Sequence, residues 1–218
     1  MKFIFFLKTF LRILYYLQSN EKRYVNLLFQ ILKKRPKKIL EIGVYNGRRA
    51  IQMIEAAKVF NKDIEYHGFD LFEGLTEKIH NIEASKFPGT LDKIKRLLNN
   101  HAKIFLYKGF TKDTLKFFSL KEVNIDFIFI DGGHSVKTIE SDFYYSLKIA
   151  EKNAYIVFDD FYENGTIDTT KFGSNKIFEK LQLGKNKPRL LPFSDSFGKE
   201  QEKKVIKMFM IQNKNFKA

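Results

Sequence analysis

The stretch FIFIDGGHS (127–135) runs four apolar residues into Asp131, two glycines, His134 and Ser135, and YIVFDDF (155–161) ends in Asp159 and Asp160. Carboxylates and an imidazole suit three kinds of chemistry. They can hold a divalent cation, bind a cofactor hydroxyl, or accept a proton. Asp-Gly-Gly is equally the composition of a turn that ends a buried strand, with Ser135 capping the helix beyond it. Taken alone, these residues leave both readings open. Two adjacent buried carboxylates at 159 and 160 do require a counter-charge, supplied by a cation or by a nearby lysine.

Two more stretches carry the same stamp. EIGVYNG (41–47) places Gly43 and Gly47 in a G-x-x-x-G spacing, where glycine lets the backbone turn tightly and approach a ligand. This is neither G-x-G-x-x-G nor G-x-x-x-x-G-K-[ST], and no lysine is placed to reach a phosphate. Asp70 closes IEYHGFD (64–70), and a carboxylate there can accept both hydroxyls of a ribose. Helix capping is the plainer alternative for Asp70. A glycine turn with an acidic second strand points to a ligand bearing adenosine without a pyrophosphate.

The elements that must position these residues alternate. Helical spacing covers the first nineteen residues, 20–34, 46–60, 91–100, 112–119 and 136–152. Apolar strands cover 38–43, 64–70, 103–109, 125–131 and 154–160. Such alternation predicts an α/β fold with a mostly parallel sheet and helices on both faces. RLLPF (189–193) and VIKMFMIQ (205–212) lie too close for a parallel crossover, which predicts an antiparallel pair at the sheet edge. In such sheets ligands bind beyond the carboxyl ends of the strands. Glu41 to Gly47, Asp70, Lys108 to Thr111, Asp131 to His134 and Asp159–Asp160 should therefore converge. One domain, 36–218, is expected, with a helical extension at 1–35.

With no cysteine among 218 residues, thiolate nucleophiles and thiolate metal sites are excluded, so a metal would be held by oxygen or imidazole. The net charge of +14 is spread along the chain; it suits a solvated surface or an anionic partner. In MKFIFFLKTFLRILYYLQS, Lys8 and Arg12 interrupt the apolar run and no small-residue cleavage site follows, which argues against a secretory signal and a spanning helix. A cytoplasmic protein is expected. Lys8, Arg12 and Ser19 form a narrow polar stripe beside a wide apolar face. That pattern fits packing on the domain or on a second copy, and also a basic helix lying on a membrane.

ILEIGVYNG, HGFDLF, YKGFT, IDFIFIDGGHS and IVFDDF, in that order, resemble class I S-adenosylmethionine-dependent methyltransferases with a Rossmann-like seven-stranded sheet. The nearer likeness is to the metal-dependent O-methyltransferases of the macrocin type, over roughly 36–162. The resemblance implies that Glu41, Gly43 and Gly47 shape the methionine end of the cofactor pocket. It implies that Asp70 holds the ribose, with Leu71 and Phe72 beside the adenine and Gly109, Phe110 and Thr111 lining its end. Asp131, Asp159 and Asp160 match the positions that bind Mg2+, and Asp131 also contacts the cofactor. His134 matches a histidine used as base. A small hydroxylated substrate, such as a sugar, is the implied partner. EKNAY (151–155) replaces the usual Pro-Gly-Gly, and Arg48 and Arg49 are unusually basic there.

Two other functions compete. The charge suits an RNA methyltransferase, but DGGH stands where base-amine methylators carry Asn/Asp-Pro-Pro-aromatic, so nucleic acid is not the expected partner. A non-catalytic binding member of the fold is the other. The stretches 71–90 and 161–188 are expected to cover the substrate.

Overall fold

The structure is a computed structural model that describes residues 2–83, 86–121, 123–163, 167–184, 187–198 and 203–214. Parts of the two expected covering stretches (84–85, 164–166 and 185–186) lie outside the described residues, as do Met1 and 215–218 of the expected domain ends. Two helices, α1 (Lys2–Gln18) and α2 (Arg23–Lys34), lead into β1 (Lys38–Ile42), α3 (Arg48–Ala57) and β2 (Glu65–Asp70). After a 3-10 turn at Phe72–Gly74 come α4 (Glu77–Glu83), α5 (Leu91–Leu98), β3 (Lys103–Lys108) and α6 (Thr111–Phe118). Then follow β4 (Ile125–Ile130), α7 (Val136–Ile149), β5 (Ala150–Tyr162), α8 (Asn175–Gln182), β6 (Arg189–Phe197) and β7 (Lys204–Gln212).

The strand order is β3-β2-β1-β4-β5-β7-β6. Strands β1 to β5 pair in parallel, and β7 is antiparallel to both β5 and β6. The expected sheet and its antiparallel edge are therefore present. Side-chain alternation along each strand feeds two cores. Phe127, Phe129 and Val157 face α1, α2 and α3, whereas Ile128, Ile130 and Phe158 face the layer of α6, α7 and α8. The order reverses between β1 and β4, which opens the crevice typical of such sheets.

The expected boundary at 35 does not separate α2 from the domain core. Val25, Leu28 and Ile31 are almost wholly buried in the same cluster as Ile39 and Phe127. Two helices in the covering stretches, α4 and α8, were not expected. Ser135 does cap α7, its hydroxyl accepting from Thr138 N.

The candidate active site at the β1–β4 crevice

Gly43 and Asp131 end the two central strands and touch. Gly43 N donates to Phe69 O at 2.9 Å, and Asp131 N donates to Ile42 O at 2.9 Å. A Cβ on Gly43 would lie 1.9 Å from Asp131 O, and its φ is +91°, so only glycine allows the two strand ends to meet. Next to them opens a cleft of about 620 Å³, within the range for small-molecule sites.

Most of the sequence-predicted residues line this cleft: Gly43, Asp70, Leu71, Gly109, Phe110, Thr111, Asp131, His134 and Asp160. Asp70 is aimed by backbone. Its carboxylate accepts from Tyr45 N at 2.8 Å and from Phe72 N at 3.2 Å. Burial raises its pKa, opposed by these backbone donors.

Three predicted cofactor residues are placed elsewhere. Glu41 follows Ile39 to the α3 face by strand alternation, where it is fully buried and accepts from the Tyr66 hydroxyl. Burial, opposed by that bond and by Arg49, pushes it up to about 8. Gly47 takes a left-handed φ of 76° to start α3, and a Cβ there would meet Leu97 at 3.1 Å. Phe72 is fully buried in the core of the α3 side, not beside an open pocket.

The expected cation ligands divide. Asp131, His134 and Asp160 each offer one atom to a group whose members lie within 4.8 Å of one another. Asp159 is not among them. It follows Val157 toward α2, where its carboxylate accepts from Arg23 Nε at 2.9 and 3.0 Å and from Asp160 N at 2.9 Å. Adjacent strand residues point to opposite faces. A register shift between Phe158 and Phe161 and a φ of 57° at Asp160 complete the separation. Among the described residues, the counter-charge demanded by Asp159 is thus the guanidinium of Arg23.

Arg23 also binds Asp195, through its backbone N at 2.9 Å and through Nη1. Burial disfavours the guanidinium charge, but Asp159 and its other neighbours outweigh burial and hold the group protonated above its ordinary range. Arg49, three residues before Gln52 on α3, lies over the Tyr24 ring at 3.3 Å and pairs with Glu21 at 2.9 Å. Arg48 is half-exposed, 3.6 Å from the same glutamate.

His134 Nε2 lies 3.2 Å from Asp160 Oδ2. Burial and the negative charges of Asp159 and Asp160 hold the Asp131 carboxyl well above the usual carboxylate range. Burial also raises Asp160, with His134 opposing it and Asp159 adding to it. Glu83, at the end of α4, was not foreseen. It accepts from Ser135 N at 3.0 Å, Ser135 Oγ at 3.1 Å and Thr138 Oγ1 at 2.8 Å, while its carbonyl accepts from His134 N at 3.3 Å. Tyr24 of α2, Tyr162 of β5, Phe197 of β6 and Ile206 of β7 also line the cleft.

Residues 40–161 match the family described as a methyltransferase domain. The chain belongs to this family. The methyltransferase is similar over a short stretch to an uncharacterized protein, R132, of Acanthamoeba polyphaga mimivirus, 38% identical over 64 residues, which are 29% of this chain and 29% of that protein. Among solved structures, the O-methyltransferase TomG from Streptomyces achromogenes, in complex with SAM, is similar with a TM-score of 0.60 at 14% identity, over 86% of this chain and 78% of that one. An O-methyltransferase from Bacillus cereus in complex with SAH gives 0.56 at 17%, over 85% and 78%. An rRNA methylase from Streptococcus thermophilus gives 0.59 at 12%, over 89% and 98%. These likenesses establish the Rossmann-like methyltransferase fold. No described helix is long and apolar enough to cross a membrane.

Proposed function

We propose that this methyltransferase uses S-adenosylmethionine to methylate a hydroxyl of a small molecule, a sugar being one such acceptor, with a divalent cation at Asp131, His134 and Asp160. The observation that carries the reading is the meeting of this group with Asp70 in a single cleft. The residues fit both guests. Asp70 is oriented by two backbone donors and keeps lone pairs for ribose hydroxyls. Two carboxylates raised by burial and by neighbouring carboxylates, with an imidazole in reach, form a donor set that a cation would relieve.

S-adenosylmethionine supplies an electrophilic methyl group, and the cation supplies a Lewis acid that lowers the pKa of an acceptor hydroxyl. This chain's own residues bind, orient and exclude water. Gly43 and Gly132 let the cofactor approach the backbone at the strand ends. Glu83 ties α4 to the Asp131–Ser135 turn and so fixes the approach of His134. Tyr162, Phe197 and Ile206 give the acceptor side an apolar wall. The imidazole in the donor set widens the cation choice from the expected magnesium toward manganese, because imidazole suits softer ions than an all-oxygen site does.

The 3.2 Å contact of His134 Nε2 with Asp160 favours a second reading without a cation. The carboxylate then holds the proton on Nε2, leaving Nδ1 free to accept the acceptor's proton. Titration calorimetry tests both. S-adenosylhomocysteine should bind with or without metal, and Mn2+ or Mg2+ alone should bind the wild type but not Asp160→Asn. Failure to bind S-adenosylhomocysteine would refute the cofactor reading. Hydroxyl methylation that survives chelation would select the histidine base, and methylation of RNA but of no small hydroxylated compound would overturn the acceptor class.

A further inference from the structure

Helix α1 packs on the domain along a narrow strip and leaves most of its apolar surface outside. Its inward residues, at spacings of three and four, are Phe5, Thr9, Arg12, Ile13 and Tyr16. The polar stripe faces the domain: Lys8 Nζ pairs at 2.9 Å with Glu55, which is almost wholly buried, and Arg12 pairs with the same carboxylate. Tyr16 donates to Gln52 at 2.8 Å. Burial pushes Glu55 up, but hydrogen bonds from Lys8 and Arg12 prevail and hold its pKa low. The helix is therefore held by Ile13 and Tyr16 in the core and by these ion pairs beside them, and its wide apolar face looks outward. Phe3 (74% exposed), Ile4, Phe6, Phe10, Leu11 (54% exposed) and Leu14 stand on that face. A face this wide without a cover among the described residues marks an interaction surface.

Its surroundings indicate the occupant. Lys2 and Lys8 are exposed on the helix itself, and Lys58 sits over the Phe5 ring at 5.4 Å. Beside α1, a groove of about 460 Å³ is lined by Arg12, Arg48 and Lys93 and by no carboxylate. Nη1 of Arg12 is buried without a hydrogen-bond partner, while its Nη2 pairs with Glu55. The whole chain carries +14. A second copy packed about a two-fold axis would bring the same basic rim against itself, because an isologous interface pairs each patch with its own image. A sheet of anionic headgroups instead meets that rim with opposite charge while its acyl region takes up the apolar face. The seventeen residues of α1 span about 25 Å at 1.5 Å per residue, and no described helix qualifies as a membrane span. We propose that the outward face of α1 docks this methyltransferase in the plane of an anionic lipid surface, with headgroup phosphates at the Arg12–Arg48–Lys93 groove.

The test is co-sedimentation of the full chain with vesicles of phosphatidylcholine plus phosphatidylglycerol, against vesicles of phosphatidylcholine alone. Binding is expected on the anionic vesicles, weakening as salt is raised. Phe6→Gln/Phe10→Gln changes only exposed side chains, so thermal unfolding should be unaltered while vesicle affinity falls by at least about tenfold. Lys2→Gln/Lys93→Gln should lose about fivefold per charge. Equal binding to both vesicle types, no binding to either, or binding that Phe6→Gln/Phe10→Gln leaves intact would overturn the proposal. So would sedimentation velocity showing a dimer that this double variant dissociates. None of these readouts depends on catalysis or on the cation site.

Discussion

Replacing Arg23 with methionine should cost about 3–5 kcal/mol of folding stability, the usual loss when one partner of a buried ion pair is removed. The Arg23 side chain is only 11% exposed, and the side chains of Asp159 and Asp195, both in contact with it, are fully buried. Methionine retains most of the packing volume, so the loss reports charge rather than a cavity. A close pair at an effective dielectric of about 20 is worth roughly 4 kcal/mol before desolvation, and desolvation of the two stranded carboxylates is not recovered. For a domain of this size that corresponds to a fall in Tm of about 6–20 °C. Stability should be measured by urea unfolding across pH. Arg23 opposes the rise that burial imposes on the Asp195 carboxyl, so without it that carboxyl is raised further in the folded state. The penalty is then present above the raised value and fades as pH falls toward the unfolded carboxylate range, so the gap to wild type should narrow as pH falls. Adding Asp159→Asn to Arg23→Met should recover part of the loss, giving a coupling energy that unrelated sites do not show. A cost below about 1 kcal/mol, or one that does not change with pH, would refute the claim that Arg23 is the counter-charge of this site.

Asp70→Asn puts an amide where two backbone N–H groups already point. It should weaken S-adenosylhomocysteine binding by about ten- to a hundredfold, from the loss of charged hydrogen bonds, as read by calorimetry. In Asp131→Asn, Mn2+ affinity should fall by at least about a hundredfold while cofactor affinity changes far less, since the cation group loses one of three donors. Glu41→Gln addresses pH. Burial raises the Glu41 carboxyl from 4.5 to about 8, so the folded protein retains a proton that the unfolded chain releases, and stability falls as pH rises through that window. Urea unfolding should show the glutamine variant gaining on wild type by up to several kcal/mol near pH 8, with the difference fading near pH 4.5. A constant difference between the two would show that Glu41 is not titrating.

The parallel strands were legible because each is a short apolar run ending in glycine or a carboxylate, and because a sheet covered on both faces requires apolar residues at every position. The two missed helices lacked that signal. In α4, EKIHNIE buries no residue, so it has no apolar stripe to find. Helix α8 does have one, at Ile177, Phe178 and Leu181, but eight residues between loops are too few for the period to stand out. The facing of α1 was hidden for a different reason. Its amphipathic pattern was plain, but the sense in which it packs is set by Glu55, a buried acid on α3 that only tertiary structure brings beneath Lys8 and Arg12.

The same distinction governs the site. Gly43, Asp70, Asp131 and Asp160 could be found because the topology itself carries strand ends to one crevice; motif order was enough to gather them. What Asp159 does could not be found in that way. The doublet at 159–160 implied a counter-charge, which a local reading supplies as a cation or a lysine. The structure supplies it from residue 23, at a sequence separation of 136. In the sequence the two carboxylates stand together as expected cation ligands; strand alternation parts them, and Asp159 turns to the α2 face. Arg23 at that position neutralises Asp159 and leaves Asp160 to His134 and Asp131. An ion placed at this group would therefore meet two carboxylates and an imidazole rather than three carboxylates. For that reason the comparison of Mn2+ with Mg2+ is a sharper test of this structure than the presence of metal alone.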